Sequence, residues 1–164
     1  MSYFLIVRGP LGSGKSTICA ALAQKIQGEL FSIDKLLDEN FLTEEKEDGY
    51  ISQKSFLKAN EITHDTAEKS LKSGTPVIFD GNFYWKSQIE NLVQTLPFPH
   101  FIFTLKVPLK TCIERDKNRE ISHGEIAATV VYKKSTEFEF GNSIDATKSL
   151  ENCVEEILEI LPKL

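Results

Sequence analysis

The sequence predicts an α/β fold in which helices cover both faces of a parallel sheet. Short apolar runs alternate along the chain with longer segments whose apolar residues recur every three or four positions. The first run, residues 3–7, is almost unbroken, as strands buried on both faces are. A glycine-rich loop joins this run directly to a helical segment. Strands that alternate with helices in this way form three layers, with the sheet in the middle.

After the first run, three further strands and one short segment are predicted. They are residues 29–34, 75–80 and 100–107, followed by the segment 142–147. Two of the strands stop at an aspartate, Asp34 and Asp80. Pro76 opens the third strand, which a proline can do without disturbing the hydrogen bonds of a sheet. Residues 43–49 are charged and have no apolar pattern, so we expect an exposed loop there.

Six helices are predicted from apolar residues at helical spacing and from the residues that flank them. They cover residues 15–27, 53–73, 85–96, a segment opening at Pro108, 125–137 and 149–161. Gly28 and Gly74 follow two of these segments, where glycine commonly ends a helix. The chain has no internal repeat and no low-complexity tract. We therefore expect one domain that spans residues 1–164.

Composition favours small-molecule partners. Of 164 residues, 41% are hydrophobic and 26% are charged, as in a soluble domain, and the formal net charge is −5. This balance argues against a general nucleic-acid binder, which needs a broad basic surface. No apolar run is long enough for a membrane span or a signal peptide, so we predict a cytoplasmic protein. The cysteines are separated and odd in number, which predicts buried free thiols: Cys19, Cys112 and Cys153.

Residues 9–17, "GPLGSGKST", satisfy the phosphate-binding pattern G-x-x-x-x-G-K-[ST] between a buried strand and a helix. Glycines allow successive N–H groups to face an anion, and the helix adds the positive end of its dipole. We expect Lys15 to bridge the β- and γ-phosphates and Ser16 to coordinate a magnesium ion. The predicted nucleotide-binding residues of this P-loop are Gly9, Gly12, Ser13, Gly14, Lys15, Ser16 and Thr17. Thr17, however, has the position of a packing residue in the first helical turn.

The two strand-end aspartates are candidates for chemistry, because ligands of parallel sheets bind at the carboxyl ends of the strands. Asp34 could orient an attacking hydroxyl and accept its proton, or it could be an ordinary helix N-cap. Asp80 could hold the magnesium shell together with Ser16, face an acceptor, or be a turn residue within "DGN". The sequence leaves these roles of Asp80 open.

Two of the chain's three arginines, Arg115 and Arg119, lie four residues apart in "CIERDKNRE". On a helix this spacing places them on one face, where they could stabilise a transferring phosphoryl group from a mobile lid. The alternative is a solvated face balanced by the neighbouring acids, which are Glu114, Asp116 and Glu120. The third arginine, Arg8, is as compatible with a structural pair as with a phosphate contact.

Other motifs are weaker. The aromatic residues of "NFYWK", Phe83, Tyr84 and Trp85, could line an acceptor pocket or simply lead hydrophobically into the next helix. The three histidines have no metal-ligand spacing: His64, His100 and His123. No signature of a side-chain nucleophile is found, which argues against hydrolase chemistry of that kind.

With these motifs in order, the chain resembles the small P-loop kinases, the group that includes chloramphenicol phosphotransferase, the zeta toxins and polynucleotide kinases. The likeness is carried by "RGPLGSGKST", "FSIDKLL", "VIFDGNF", "LKVPLKTCIERDKNRE" and "SIDATKSLENCVEEIL". It implies a five-stranded parallel sheet of order 2-3-1-4-5, a small helical lid near residues 115–125, and Mg-ATP as phosphate donor. It also implies that Asp34 is the catalytic acid, that Arg115 and Arg119 are lid arginines, and that residues 144–147 lie near the adenine. Leu37 stands where polynucleotide kinases carry an arginine for the acceptor's phosphate, which argues against a nucleic-acid 5′ end.

The resulting hypothesis is a phosphotransferase that moves the γ-phosphate of Mg-ATP to a hydroxyl of a small-molecule acceptor. The catalytic residues would be Lys15, Asp34, Arg115 and Arg119, and Arg115 would also contact the nucleotide. One alternative is a nucleotide-binding switch or slow NTPase that acts through a protein partner. Another is a nucleotide or polynucleotide kinase. The acceptor, the choice between ATP and GTP, and the oligomeric state are open at this point.

Overall fold

The computed structural model describes residues 2–163 and contains seven helices and seven strands within that range. In chain order they are β1 (Phe4–Arg8), α1 (Lys15–Ile26), β2 (Glu29–Ser32), α2 (Ile33–Glu39), β3 (Lys46–Glu47), β4 (Tyr50–Ile51), α3 (Gln53–Lys72), β5 (Val77–Gly81), α4 (Lys86–Thr95), β6 (His100–Lys106), α5 (Leu109–Lys117), α6 (Glu125–Ser135), β7 (Asn142–Asp145) and α7 (Leu150–Ile160). The predicted alternation of strands and helices is confirmed.

Five of the strands form one parallel sheet in the order β2-β5-β1-β6-β7. Counted along the chain without the separate β3–β4 pair, this is the expected order 2-3-1-4-5. The central strand β1 pairs with β5 on one side and β6 on the other, and Phe4 lies opposite both Val77 and His100. The carboxyl ends of β1, β2 and β5 therefore meet at one edge of the sheet.

The two faces of β1 pack into two different hydrophobic cores, because side chains alternate along a strand. Leu5 and Val7 pack on the side of α1 and α7, whereas Phe4 and Ile6 pack on the side of α2, α3 and α4. All four side chains are fully buried. Burial of this kind stabilises the fold by about 1.5–3 kcal/mol for each large apolar side chain. The sheet is thus a fixed platform for the loops at its edge.

The three cysteines are buried and free, as predicted: Cys19, Cys112 and Cys153. Burial raises the pKa of the Cys112 thiol to about 11. These thiols therefore stay protonated at neutral pH and pack as small apolar groups. Within residues 2–163, no helix has both the length and the apolar character that crossing a membrane requires.

Residues 43–49 are largely exposed, as predicted, but they are not only a loop, because part of the segment forms a short hairpin. β3 and β4 form an antiparallel hairpin there, closed by Asp48 and Gly49, both of which have positive φ. Asp-Gly is a favoured pair for a two-residue hairpin turn, a signal hidden among the surrounding charges. The Glu47 carboxylate accepts hydrogen bonds from the backbone N–H and the side-chain Nε2 of Gln53, which fastens the hairpin to α3.

Candidate active site

A cavity of about 1000 Å³ opens at the edge of the sheet where β1, β2 and β5 end. This is where ligands bind in parallel α/β folds. One side of the cavity, the P-loop side, is formed by residues 11–18 together with Arg115 and Ala146. A second group of lining residues, called the hairpin side below, consists of Tyr50, Ile51, Asn82, Tyr84, Val130 and Val131. Asp34 and Arg119 also line the cavity.

The P-loop runs from the end of β1 to the start of α1 at Lys15. Gly12 has φ +76°, and a Cβ at this position would lie 2.2 Å from the Cys112 carbonyl oxygen. No residue with a side chain fits there without a shift of the backbone. The turn leads into the N-terminus of α1, whose first N–H groups lack partners within the helix and whose dipole is positive. The loop therefore offers an anion site made mainly of backbone.

Asp80 lies in β5 and is 4% exposed, and its Oδ1 has no hydrogen-bond partner among residues 2–163. Burial raises the pKa of this carboxyl, whereas the charge of Lys15 and a hydrogen bond from Ser16 act in the opposite direction. Asp80 does not itself line the cavity, but both of these P-loop residues do. An unpartnered carboxylate oxygen beside Ser16 fits a magnesium shell, since magnesium prefers oxygen ligands.

Asp34 lies in the first turn of α2, two residues beyond the end of β2. The predicted strand over 29–34 therefore ends early, because Ile33 already belongs to the helix and packs into the core with Leu37. Ser32 holds the N-cap position, so the N-cap alternative for Asp34 is wrong. Asp34 is half-buried, and its charge acts to raise the pKa of both Asp80 and Tyr84. Its carboxylate is thus close to the P-loop side and the hairpin side.

Arg115 and Arg119 do not share a helix face, contrary to expectation. α5 ends at Lys117, so Arg115 lies in the helix and Arg119 lies beyond its C-cap. Arg115 donates from Nη1 to the Ser13 carbonyl (3.1 Å) and from Nη2 to the Ala146 carbonyl (2.9 Å). Arg119 has 46% of its side chain exposed and lies at the edge of ion-pair distance from Asp116 (4.0 Å). Arg115 is fixed against the P-loop, and Arg119 has donors left for a ligand.

Asp116 organises the segment that carries Arg119, a role that the sequence did not reveal. Its side chain is only 1% exposed, so the alternative of a solvated face does not hold for this residue. The carboxylate accepts hydrogen bonds from Ser122 Oγ (2.7 Å), from the backbone N–H of His123 (3.1 Å) and from that of Gly124 (3.0 Å). Burial acts to raise the pKa of Asp116, but these hydrogen bonds outweigh it and lower the pKa. Asp116 therefore ties the end of α5 to the start of α6.

The hairpin side brings together segments that are far apart in the sequence. Trp85 donates from Nε1 to the Ile51 carbonyl (2.7 Å), which holds the hairpin over the end of β5. From α6, the Lys134 ammonium lies 4.0 Å from the centre of the Trp85 ring. A cation over an indole ring is attracted by the electrons of its face. The hairpin, the residues after β5 and α6 thus form one wall.

The aromatic residues after β5 pack into the core, as one of their two alternatives predicted, and one of them also lines the cavity. Phe83, Tyr84 and Trp85 all belong to the core, and Tyr84 also lines the cavity. Phe83 is fully buried with φ +45°, a left-handed conformation that strains a residue with a bulky side chain. This turn lies directly between Asn82 and Tyr84, the two residues that reach the cavity.

Arg8 is a structural residue outside the main cavity. It is completely buried, and its guanidinium donates to the carbonyls of Phe83 (3.3 Å), Ser135 (2.7 Å) and Phe138 (3.3 Å) and to Thr104 Oγ1 (3.2 Å). Burial lowers the pKa of Arg8 to about 10, so the group keeps its charge at neutral pH. Arg8 therefore connects the start of the P-loop with the strained turn at Phe83 and with the end of α6.

The structure brings most of the predicted site residues to one cavity. Gly12, Ser13, Gly14, Lys15, Ser16, Thr17, Asp34, Arg115 and Arg119 all line it. Thr17 is exposed there, so the expectation that it packs inside the helix turn is wrong. Gly9 lines a smaller, separate cavity beside Arg8, behind the P-loop. Among residues 2–163, no cluster of three or more histidine, cysteine or acidic side chains could by itself hold a metal ion.

A strand, a glycine loop and a helix at the edge of a 2-3-1-4-5 parallel sheet define a P-loop protein of the kinase-like type. The family model described as AAA domain matches residues 4–139, and the chain belongs to that family. It is 28% identical to the deoxyguanosine kinase of Bacillus subtilis (strain 168), over 71% of this chain and 66% of that protein. It is 27% identical to the shikimate kinase of Marinomonas sp. (strain MWYL1), over 45% of this chain and 44% of that one. The matches thus span less than two thirds of these relatives' lengths.

Solved structures share the same fold. A sugar kinase from Janibacter sp. HTCC2649 superimposes with a TM-score of 0.78 and 16% identity, covering 97% of this chain and 94% of that one. A gluconokinase from Sinorhizobium meliloti 1021 gives a TM-score of 0.66 and 17% identity, covering 94% and 89%. At this identity, the likeness shows the fold of the chain.

Proposed function

We propose that this protein transfers the γ-phosphate of Mg-ATP to a hydroxyl group of a small-molecule acceptor. The observation that carries the proposal is one cavity with two sides, with Asp34 close to both. The P-loop side offers a cradle for phosphates, and the hairpin side leaves room for a second molecule. The names of the relatives, which are kinases of small molecules, support the same class of reaction.

In the proposed reaction, the acceptor hydroxyl lies between Asp34 and the γ-phosphate. Asp34 orients this hydroxyl and accepts its proton as the oxygen bonds to the γ-phosphorus. The bond from that phosphorus to the β,γ-bridging oxygen breaks, and the products are ADP, the phosphorylated acceptor and one proton. Lys15 and Arg119 stabilise the negative charge on the transferring group. Arg115 holds the P-loop against the nucleotide by its bonds to Ser13 and Ala146.

Magnesium fits the donor atoms that the chain offers. Ser16 and Asp80 would hold it, because the buried Asp80 Oδ1 has no other partner in the described chain. When bound, magnesium would neutralise part of the charge of the β- and γ-phosphates. The preference for ATP, rather than GTP, rests on the resemblance alone.

The two alternatives are less well supported. A nucleotide-binding switch needs no side chain that accepts a proton from an acceptor hydroxyl. Asp34, on the wall of the cavity, has the position expected of such a proton acceptor. A polynucleotide kinase needs to grip a phosphate on its acceptor, and the corresponding position is Leu37, which is 1% exposed. We therefore favour the small-molecule phosphotransferase.

An acceptor screen with coupled ADP release tests the proposal. The purified protein receives Mg-ATP and single acceptors from a panel of alcohols, sugars, nucleosides and short oligonucleotides. We expect at least one small acceptor to raise ADP release well above the rate without acceptor, and mass spectrometry to find its phosphorylated form. ADP release that no acceptor stimulates, together with a conformational response to ATP, would support the switch instead.

A further inference from the structure

The charged side chains that line the cavity are mostly basic, unlike those of the chain as a whole. The formal net charge of the chain is −5, whereas six basic and two acidic side chains line the cavity. They are Lys15, Lys35, Lys46, Lys148, Arg115 and Arg119, against Asp34 and Asp38. Mg-ATP retains roughly two negative charges, because magnesium neutralises part of the charge of the phosphates. Even with the buried Asp80 counted among the acids, the cavity has more positive charge than this nucleotide balances.

The order of the strands separates these basic groups into two sets. β2 and β7 are the edge strands of the sheet, and the P-loop follows the central strand β1. Lys148 lies just beyond β7, where it pairs with Glu156 (3.6 Å), and Arg115 bonds to Ala146 on the same side. Lys35 lies in α2, directly after β2 at the opposite edge. The P-loop therefore stands between Lys35 and Lys148.

Lys46 reaches the cavity from the hairpin formed by β3 and β4. Trp85 donates a hydrogen bond to the Ile51 carbonyl and so holds this hairpin over the end of β5, which is the neighbour of β2 in the sheet. Lys46 lies opposite Ile51 in the hairpin, and both residues line the cavity. Lys46 and Lys35 thus belong to the β2 side of the cavity, away from Lys148.

Lys46 stands out within an acidic run. Five consecutive charged residues, 44–48, include four acids and one lysine, and of these five only Lys46 lines the cavity. Two of the acids are engaged by α3, because Glu45 pairs with Lys54 (3.8 Å) and Glu47 accepts hydrogen bonds from the start of that helix. Among residues 2–163, no ion pair is found for Lys46. The hairpin therefore presents an accessible ammonium group to the cavity.

Lys35 can join Lys46 at little cost. It pairs with Glu39 (3.7 Å), but the two side chains are 73% and 57% exposed. Exposed pairs of this kind contribute about 0–1 kcal/mol, so a ligand can displace Glu39. Asp34 and Asp38 line the same part of the cavity and would repel an anion. An anionic group on the acceptor must therefore point towards Lys46 while the acceptor hydroxyl points towards Asp34.

We propose that Lys46, assisted by Lys35, binds an anionic group of the acceptor. The acceptor is then a small hydroxyl compound that carries a carboxylate or a phosphate group. An ammonium group has several N–H donors for anionic oxygens, and hydrogen bonds between charged partners are stronger than neutral ones. This inference rests on the proposed function, because it concerns the acceptor of that reaction.

The test compares Lys46→Gln, which keeps most of the side-chain length and removes the charge, with Lys54→Gln. Lys54 is the matched control, because it is an exposed lysine that pairs with the same hairpin but does not line the cavity. We expect turnover of an anionic acceptor, with its KM raised about 10- to 100-fold in Lys46→Gln and unchanged in Lys54→Gln. The Kd of Mg-ATP should stay within about twofold in both variants. Lys46→Arg keeps the charge and should restore most of the affinity.

Matched acceptors show whether the charge itself is recognised. The carboxylate arm compares shikimate with its methyl ester, and the phosphate arm compares glucose 6-phosphate with glucose. Gluconate is a second carboxylate, and deoxyguanosine is a neutral nucleoside. Removal of the charge from the preferred acceptor should raise its KM in the parent and have little further effect in Lys46→Gln, because the lost partner is the same. The two arms distinguish a carboxylate from a phosphate.

Three results would overturn the inference while the kinase activity stands. They are preference for a neutral acceptor, equal KM values for an anionic acceptor in the parent and in Lys46→Gln, and loss of affinity for Mg-ATP as large as that for the acceptor. The last result would assign Lys46 to the nucleotide.

Binding measurements separate this inference from the proposed function. Calorimetric titration of shikimate, gluconate and glucose 6-phosphate in the presence of ADP and magnesium reports acceptor affinity without turnover. Binding that depends on Lys46, without phosphoryl transfer from ATP, would support the anion site and contradict the phosphotransferase. If none of the three anions binds in a way that depends on Lys46, the inference is wrong.

Discussion

The two sides of the cavity are built in different ways. The P-loop side comes mainly from one continuous segment, residues 11–18, and the shape of that segment is set by the backbone, as the lack of space for a Cβ at Gly12 shows. The hairpin side comes from β4, from the turn after β5 and from α6, and its shape is set by side-chain contacts such as Trp85 to Ile51. A phosphate cradle can therefore be common to many proteins, whereas an acceptor site made of separate segments can vary from one to the next.

The largest expected effect is the loss of nucleotide binding when one methyl group is added to the P-loop at Gly12. Gly12→Ala would place a Cβ against the Cys112 carbonyl, so we expect no measurable binding of Mg-ATP by titration calorimetry. Gly74→Ala is the matched control, because its φ is also positive (+91°) but its Cβ would meet nothing within 4 Å. That variant should lose only about 1–2 kcal/mol of stability and keep its nucleotide affinity. Equal nucleotide affinity in both variants would contradict the backbone cradle.

The second effect separates the two arginines by their contacts. Arg119 has free donors, so Arg119→Ala should lower kcat about 100-fold or more and change the Kd of Mg-ATP far less. Arg115 bonds to Ser13 and Ala146, so Arg115→Ala should weaken nucleotide affinity as well. Lys117→Ala, which removes an exposed neighbouring charge, is the control. If Arg119→Ala keeps full activity, Arg119 is a surface charge that takes no part in phosphoryl transfer.

A smaller effect concerns the tie between the end of α5 and the start of α6. Asp116→Asn keeps the size of the side chain but weakens its bonds to Ser122 and to the backbone of His123 and Gly124. We expect kcat to fall several-fold, with faster proteolysis of the lid segment and nearly unchanged Mg-ATP affinity. Because the pKa of Asp116 is lowered, this tie is intact at neutral pH and weakens only as pH falls through that lowered value. If Asp116→Asn has the same kcat and the same rate of proteolysis as the parent protein, Asp116 does not position this segment.

The smallest effect is on stability, at Asp80. Its pKa is raised, so the folded state holds the proton more tightly than the unfolded state and loses stability as pH rises above the usual aspartate range. Asp80→Asn removes this cost, and without ligand its melting temperature at pH 7 should exceed that of the parent by a few degrees. The difference should shrink as pH approaches about 4. A lower melting temperature at pH 7 would indicate that attraction to Lys15 outweighs burial.

The sequence predicted most of the fold and the P-loop side, because local patterns determine both. Unbroken apolar runs marked the buried strands, and the spacing of Gly14, Lys15 and Ser16 marked the cradle. The predictions that were wrong concern residues whose positions depend on tertiary contacts. Arg119 lies outside the helix that its spacing suggested, and the hairpin at residues 46–51 was hidden in a charged run.

Asp116 and Asn82 are two further residues whose surroundings could not be predicted from local sequence. Asp116 has the sequence context of a surface acid, and only its three hydrogen-bond donors, six to eight residues away, explain its burial. Asn82 belongs to a common turn tripeptide, "DGN", so nothing local marked it. That its Oδ1 lacks a hydrogen-bond partner among residues 2–163 is evident only in three dimensions.

The most direct measurement is phosphoryl transfer by Asp34→Asn, with Asp38→Asn, one helical turn further along α2, as the comparison. If Asp34 accepts the proton of the acceptor, its loss should lower kcat about 100- to 10,000-fold while the Kd of Mg-ATP and the melting temperature stay close to the parent values. Asp38→Asn should keep kcat within about tenfold. Transfer by Asp34→Asn at the parent rate would contradict the proposed chemistry. A matching loss of magnesium-dependent nucleotide binding would assign Asp34 to the metal shell.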